Sequence, residues 1–273
     1  MKPLVSVVLP VYDGAGTIGR AVQSILAQTY GNFELIVVND GSADRTPEIL
    51  GAFDDERVRV LNQENRGLVA SLNRGIEASR GKYVARMDAD DVALPARFER
   101  QVEFMEKNPA VGVVGSAIRR VYPDGSSRIR RRPLDSEGIR RNIVRICPFT
   151  HSTVMIRKEV FGKAGLYDAA KDGSRGLLVE DYDLWVRILA AGYELANLPD
   201  VLTEYYEEPG SILRSRPLRK RIAQQVFSRV EAIKTLRLGY AAYLNIVPVA
   251  CLSVLNRYGL KLDRLYNLLS SRR

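Results

Sequence analysis

The chain has 273 residues, 46% of them hydrophobic and 27% charged, and 41 Lys and Arg against 32 Asp and Glu give a formal net charge of +9. That supply of apolar residues suits one large core, or a core with a smaller appendage, and excludes a disordered chain. Two cysteines, Cys147 and Cys251, are too few and too far apart for a disulfide framework or a metal-ligand cluster, which suits a reducing cytoplasm.

Met1-Lys2-Pro3 runs straight into the apolar stretch from Leu4 to Leu9, without the charged, hydrophobic and cleavage regions of a secretory signal, so export is not expected. Short β-rich runs then alternate with helical patterns. Val5 to Leu9, Phe33 to Val38, Val58 to Leu61, Lys82 to Met87 and Val111 to Val114 read as strands. Between them, Ile18, Ala21, Val22, Ile25 and Leu26 recur at helical spacing behind Thr17 as N-cap, and Pro47 suits the first turn of a second helix. Leu68, Leu72 and Ile76 mark a third helix, and Pro95 to Lys107 a fourth. The order predicts an α/β fold with a mostly parallel sheet covered by helices on both faces. Pro123-Asp124-Gly125 predicts a turn joining Ile118–Tyr122 to Ser126–Ile129, an arginine-rich hairpin whose Arg128 and Arg130 to Arg132 read as a solvated face. A helix near Asp181 to Ala191 follows.

After Pro209-Gly210 the composition changes. Residues 1–210 hold 28 basic and 30 acidic side chains, residues 211–273 hold 13 and 2. The expected division is a catalytic domain over 1–210 and a basic helical region over 211–273. Leu218, Ile222, Val226, Val230 and Ile233 form an apolar stripe flanked by Arg219, Lys220, Arg221, Arg229, Lys234 and Arg237. Tyr240 to Leu255 is almost uncharged, but Asn245 and Pro248 interrupt it and it is shorter than the roughly 20 residues a spanning helix needs. It reads either as a membrane-surface or re-entrant segment, or as a helix packed on the protein or on a second subunit. A basic tail on a neutral body suits a polyanion: an anionic membrane surface, or nucleic acid, for which no recognition motif is present.

Gly14-Ala15-Gly16-Thr17-Ile18-Gly19 matches the G-x-G-x-x-G loop of dinucleotide-binding proteins, with Asp40 about twenty residues on, and raises an NAD-dependent oxidoreductase as the alternative. Against it, Pro10-Val11-Tyr12-Asp13 separates the strand from the first glycine. Asp88-Ala89-Asp90-Asp91 ends an apolar run, where two carboxylates at i and i+2 can share a hard divalent cation with the phosphates of a nucleotide. An isolated D-x-D is more often a solvated turn. Asp40, at the end of the second strand, could accept the N3–H of uracil or thymine, which indicates a UDP or dTDP donor, or could cap a turn. Glu180-Asp181 could supply a general base, or only favour a helix N-terminus.

Taken together and in order, Val5-Ser-Val-Val-Leu-Pro-Val-Tyr-Asp13, Val38-Asn-Asp-Gly-Ser42, Asn65-Arg-Gly67 with Asn73, Arg86-Met-Asp-Ala-Asp-Asp91, His151-Ser-Thr-Val-Met-Ile-Arg157 and Glu180-Asp-Tyr-Asp-Leu-Trp185 resemble family 2 glycosyltransferases of bacterial polysaccharide synthesis, over roughly residues 4–206. The resemblance implies a GT-A fold and inverting transfer of a sugar from a UDP- or dTDP-sugar to a hydroxyl of a glycan acceptor, carried on a lipid, at the cytoplasmic face of the membrane. It implies that Pro10, Tyr12, Asp13, Asp40 and Arg66 hold the nucleotide, that Asp88 and Asp90 hold Mg²⁺ or Mn²⁺, and that Asp181, beside Glu180, is the base. His151, the only histidine, and Trp185 fall where acceptor or diphosphate contacts are expected. A homodimer stays open.

Overall fold

A computed structural model of the chain describes residues 4–171, 179–207 and 218–246. The alternating pattern of the first half becomes a sheet of β1 (Val5–Val11), β2 (Phe33–Asn39), β3 (Val58–Asn62) and β4 (Tyr83–Arg86), joined by helices α1 (Ile18–Leu26), α2 (Thr46–Gly51) and α3 (Leu68–Ala78). β1 lies between β2 and β4, with β3 outside β2, all parallel. β1 and β2 are buried along their whole length, as expected of strands covered on both faces. Pro47 sits in the first turn of α2 as expected. Thr17 occupies the N-cap position of α1 but makes no capping bond there, because its hydroxyl is turned back to the Gly14 carbonyl, 3.4 Å away.

The second half extends this sheet. The short β5 (Val92–Ala93) follows the acidic motif, and α4 (Arg97–Lys107) leads into β6 (Val111–Val121). β7 (Ser127–Arg130) closes the predicted hairpin on β6. After α5 (Ser136–Asn142), a 3₁₀ turn at His151–Thr153 feeds β8 (Met155–Arg157), which runs antiparallel between β4 and β6. α6 (Val160–Ala164) and α7 (Glu180–Ala190) precede β9 (Glu194–Tyr206), parallel to β6 and antiparallel to β5. The order across the sheet is β3-β2-β1-β4-β8-β6-β9-β5.

Sequence patterning does not reveal β5, β8 or β9. The first two have only two and three residues, and β9 carries Pro199-Asp200 in its middle. The register explains how β9 tolerates them: Leu198 pairs with Ser116 and Val201 with Ala117, so Pro199 and Asp200 fall in a bulge and no ladder hydrogen bond is demanded of the proline.

Two apolar cores lie on the two faces of the sheet. One joins α1, α2 and α4 to β1 and β2; the other joins α3, α5, α6 and α7 to β4 and β8. α8 (Leu218–Thr235) packs into the second core through Ala232 and Ile233, with Val226 and Val230 half-buried beside them. Its buried side also carries Gln224, Ser228 and Arg229, so Arg229 is not on the solvated flank expected of it. The Leu218, Lys220 and Arg221 side chains lie outside the described residues, as do positions 247–255 of the uncharged segment. Among the described residues, no helix is long and apolar enough to cross a membrane.

Candidate active site

The register places Asp13, Asp40 and Asp88 immediately beyond the carboxyl ends of the adjacent parallel strands β1, β2 and β4. An open α/β sheet presents its ligand crevice along this edge. Asp40 is buried there. Its Oδ1 accepts the Gln63 amide at 2.6 Å and the Arg66 backbone N–H at 2.9 Å, and its Oδ2 accepts the Gly67 N–H at 2.9 Å. Asp40 is therefore the anchor of the 63–67 loop, and of the roughly four lone-pair positions of a carboxylate about one is left for a ligand. Gly67 is required in this loop because its φ of 88° is open only to glycine at low cost.

Asp13 stands in the left-handed region at φ 48° and accepts the Ala43 N–H at 2.8 Å. Beside it, Tyr12 is 54% exposed. Arg66 is exposed on the loop that Asp40 holds, whereas Pro10 is buried within β1, opposite Val38. Tyr12, Asp13 and Arg66 are thus exposed close to the carboxyl ends of the strands, and Pro10 is not.

The same loop rules out the dinucleotide reading. A pyrophosphate needs free backbone N–H groups at the glycine-rich turn. Here the N–H of Asp13 goes to Ser42 Oγ (3.0 Å), that of Gly14 to Thr46 Oγ1 (2.9 Å) and that of Ala15 to the Asp44 carboxylate (2.9 Å). Asp40, assigned to a ribose in that reading, is held at the 63–67 loop. Gly14 is a packing requirement, since a Cβ there would stand 2.6 Å from Val11 Cγ2.

Beyond β4, Asp88, Asp90 and Asp91 each bring a carboxylate oxygen within 4.8 Å of the others. Asp91, not singled out from the sequence, is fully buried. Its Oδ1 accepts the Tyr206 N–H at 3.1 Å, and its buried Oδ2 accepts no hydrogen bond among the described residues. Burial pushes the Asp91 carboxyl well above the ordinary range, and the charges of Asp88 and Asp90 push it further. A cluster of like charges around an orphaned buried oxygen is relieved by a cation, so these residues fit a divalent metal.

The acidic loop is fixed from several sides. The Asp88 N–H donates to Ser152 Oγ at 3.0 Å, and Arg86 Nη1 makes a short ion pair with Asp88 Oδ2. Arg20 donates to the Asp90 carbonyl at 3.0 Å while its guanidinium lies 3.8 Å from the centre of the Tyr206 ring. Beneath, the wholly buried Arg97 donates to the Arg86 carbonyl at 2.8 Å and to Gln101. Burial pulls the Arg97 guanidinium down to about 9.

Arg86 links this cluster to the other half of the site. Its charge acts on Asp88 and Asp91 and also reaches Tyr167, His151 and Asp181. His151 Nε2 is 2.8 Å from the Tyr167 hydroxyl, and burial together with Arg86 lowers the imidazole well below its usual value, so it is neutral at pH 7. Trp185 has no exposed surface; its ring meets His151 and Phe149 edge-on at 5.9 and 5.1 Å between centroids. The expectation that Trp185 touches a substrate is therefore corrected: it is the floor that positions His151. Tyr167 itself is tied to α3 by reciprocal bonds, Asn73 Nδ2 to its carbonyl (2.9 Å) and its N–H to Asn73 Oδ1 (3.0 Å).

Glu180 and Asp181 open α7, where the helix dipole favours their charge. Glu180 is buried, while Asp181 is half-buried with its Oδ2 3.8 Å from the Cys147 sulfur. Burial raises the Asp181 carboxyl above its ordinary value, moderated by Arg86 and Arg229, and pushes the Cys147 thiol up to about 12, so Cys147 stays a neutral S–H. A half-buried carboxylate with raised proton affinity is suited to remove a proton from a hydroxyl.

Residues 6–165 match the family described as Glycosyl transferase family 2. The chain belongs to this glycosyltransferase family. EpsE of Bacillus subtilis (strain 168) is 32% identical over 269 residues, spanning 94% of this chain and 93% of that protein. The fold resembles S. aureus TarS 1–349 in complex with UDP-GlcNAc, with a TM-score of 0.65 at 16% identity over 98% of this chain and 87% of that one. It also resembles the mannosyltransferase PcManGT from Pyrobaculum calidifontis in complex with GDP-Man and Mn²⁺, with a TM-score of 0.65 at 18% identity over 99% and 85%. The fold is that of the GT-A glycosyltransferases, an α/β sheet with most strands parallel and helices on both faces.

Proposed function

We propose that this glycosyltransferase moves a sugar from a UDP- or dTDP-sugar to a hydroxyl of a glycan acceptor, with inversion at the anomeric carbon, in the synthesis of a cell-surface polysaccharide. The observation that carries this reading is the Asp88-Asp90-Asp91 cluster beyond β4, where Arg86 is paired with Asp88 and its charge also acts on Asp181. A TarS structure holds UDP-GlcNAc and a PcManGT structure holds GDP-Man with Mn²⁺, which supports a nucleotide-sugar donor and a divalent ion.

In this reading Tyr12, Asp13 and Arg66 line the nucleotide side, and Asp40 holds the 63–67 loop in place and offers its remaining acceptor position to a base N–H. Asp88, Asp90 and Asp91 would hold Mg²⁺ or Mn²⁺, which when bound neutralises the departing diphosphate. Asp181 takes the proton of the acceptor hydroxyl as that oxygen attacks the anomeric carbon and the bond to the diphosphate breaks. One base and one displacement suffice, so no sugar-enzyme bond is formed. Neutral His151, held by Tyr167 and Trp185, offers a hydrogen bond at the acceptor or diphosphate. The basic region 211–273 draws the enzyme to an anionic membrane surface on the cytoplasmic side, where a lipid-linked acceptor resides.

The test is release of nucleoside diphosphate from a panel of UDP-, dTDP- and GDP-sugars, with and without Mn²⁺. Metal-dependent turnover of a UDP- or dTDP-sugar that Asp181→Asn abolishes is the expected outcome. Wild-type turnover by Asp181→Asn removes the base assignment, and turnover of GDP-sugars alone overturns the donor.

A further inference from the structure

The C-terminal helix α8 contributes to the surroundings of Asp181, which its basic, amphipathic sequence does not suggest. Arg229, midway along α8, is buried. Its guanidinium carbon lies 4.1 Å from the centre of the Tyr182 ring, on the residue that follows Asp181, and its Nη1 donates to Ser228 Oγ at 2.9 Å. Its Nε, also buried, donates to no acceptor among the described residues. Tyr182 is in turn fixed by its hydroxyl, which donates to the Ile143 carbonyl at 2.9 Å, one turn before Cys147. A buried guanidinium is expensive unless an anion is near it, and packing against a ring face recovers only part of that cost. The residue that Arg229 packs on, Tyr182, donates its backbone N–H to Asp181 Oδ1 at 2.6 Å, so the packing of α8 bears on the hydrogen bond that holds this carboxylate, and the charge of Arg229 favours its ionised form.

We propose that Arg229 is a positioning residue for Asp181, so that the region after residue 210 completes the catalytic site as well as drawing the enzyme to a surface. The proposal rests on Asp181 being the base. Among the described residues, the groups around that carboxylate are the Tyr182 N–H, which donates to its Oδ1 at 2.6 Å, Arg86 from the end of β4, Cys147 from the segment after α5, Tyr167 from the loop before α7, Glu180 on α7 itself and Arg229 from α8. Arg86 is already paired with Asp88, and Cys147 is neutral with Arg132 and Arg229 both acting on it, so among the described residues Arg229 is the cation that α8 adds to this half of the site. Arg229 acts on Asp181 in the same sense as Arg86, favouring the ionised form.

The experiment is a ¹³C carboxyl titration of the full chain, with Asp181 assigned as the resonance missing from Asp181→Asn. Arg229→Met is expected to move the Asp181 midpoint upward by about one pH unit, the size of a partly buried charge pair, and Arg229→Lys to restore most of it. The acidic limb of the rate of nucleotide release should move by the same amount, while KM for the donor stays within about twofold, because Arg229 touches no donor group. Circular dichroism and thermal melting accompany each variant; should Arg229→Met not fold, Arg229→Gln, which can keep the bond to Ser228, is read in the same way. An unmoved Asp181 midpoint in a folded variant overturns the proposal. If the midpoint moves and the rate profile does not, Arg229 is coupled to Asp181 but Asp181 is not the base, so failure of the two readings is distinguishable.

Discussion

Two buried carboxylates at opposite ends of the same parallel strands have opposite environments. At the amino ends, Glu34 of β2 accepts from Ser6 Oγ at 2.6 Å, from the Arg80 N–H at 2.8 Å and from the Arg80 guanidinium at 3.0 Å. Those bonds outweigh its burial and hold it below the ordinary range. At the carboxyl ends, burial and the charges of Asp88 and Asp90 outweigh what the Tyr206 N–H and the Ser152 hydroxyl give to Asp91, which is held well above it. One end of the sheet satisfies its charge internally. The other leaves negative charge for a ligand to neutralise. Electrostatics therefore distinguishes these two acids where residue type does not, and marks the second as the candidate for function.

The sharpest way to break this comparison is to remove charge at the functional end. Asp90→Ala should lower nucleotide release by about 10²–10³-fold, the scale of losing a group that stabilises developing charge, with little loss of melting temperature, as measured by steady-state kinetics beside calorimetry. Wild-type activity in this variant would remove the metal assignment. Next in size is the pH profile. On the proposed role of Asp181 as base, its raised proton affinity should make the rate fall about tenfold per unit as pH drops below a midpoint lying above the ordinary aspartate value. A rate flat down to pH 4 contradicts it.

At the structural end the effects are on stability. Glu34→Ala should cost about 1–3 kcal/mol in denaturant unfolding, because it leaves the Ser6 hydroxyl without an acceptor and removes the partner of the Arg80 guanidinium, the Arg80 N–H keeping only Ser6 Oγ, while kcat of the folded enzyme is unchanged. The sign with pH follows from the lowered value: Glu34 stabilises fully above its unfolded pKa, and this is lost only as pH falls through the lower folded one. An effect on stability of similar size is expected from metal. Mn²⁺ at ~100 times its Kd should raise the melting temperature of the wild type by roughly 5 °C, and not that of Asp90→Ala. Equal shifts in both would place the ion elsewhere.

The sequence by itself determined β1 to β4, the helices between them and the two ends of the crevice. Their runs are apolar throughout or repeat at helical spacing, and Asp40, Asp88 and Asp90 end strands whose direction the alternation already implies. It also carried the family, through six short motifs in order. Tertiary structure alone decided how those acids are used. Asp40 is the anchor of a loop 23 to 27 residues away in the chain, Asp91 and Arg97 are buried ions with no local signature, and Trp185 supports His151 from below. β9 could not be read because its bulge at Pro199-Asp200 is paid back only by pairing with β6. Arg229 looked like one more solvated cation on a basic helix. Periodicity reports which face of an element is buried, but the charge a residue meets there depends on neighbours that are distant in sequence: Arg229 and Tyr182, the residue after Asp181, are brought together only when α7 and α8 pack.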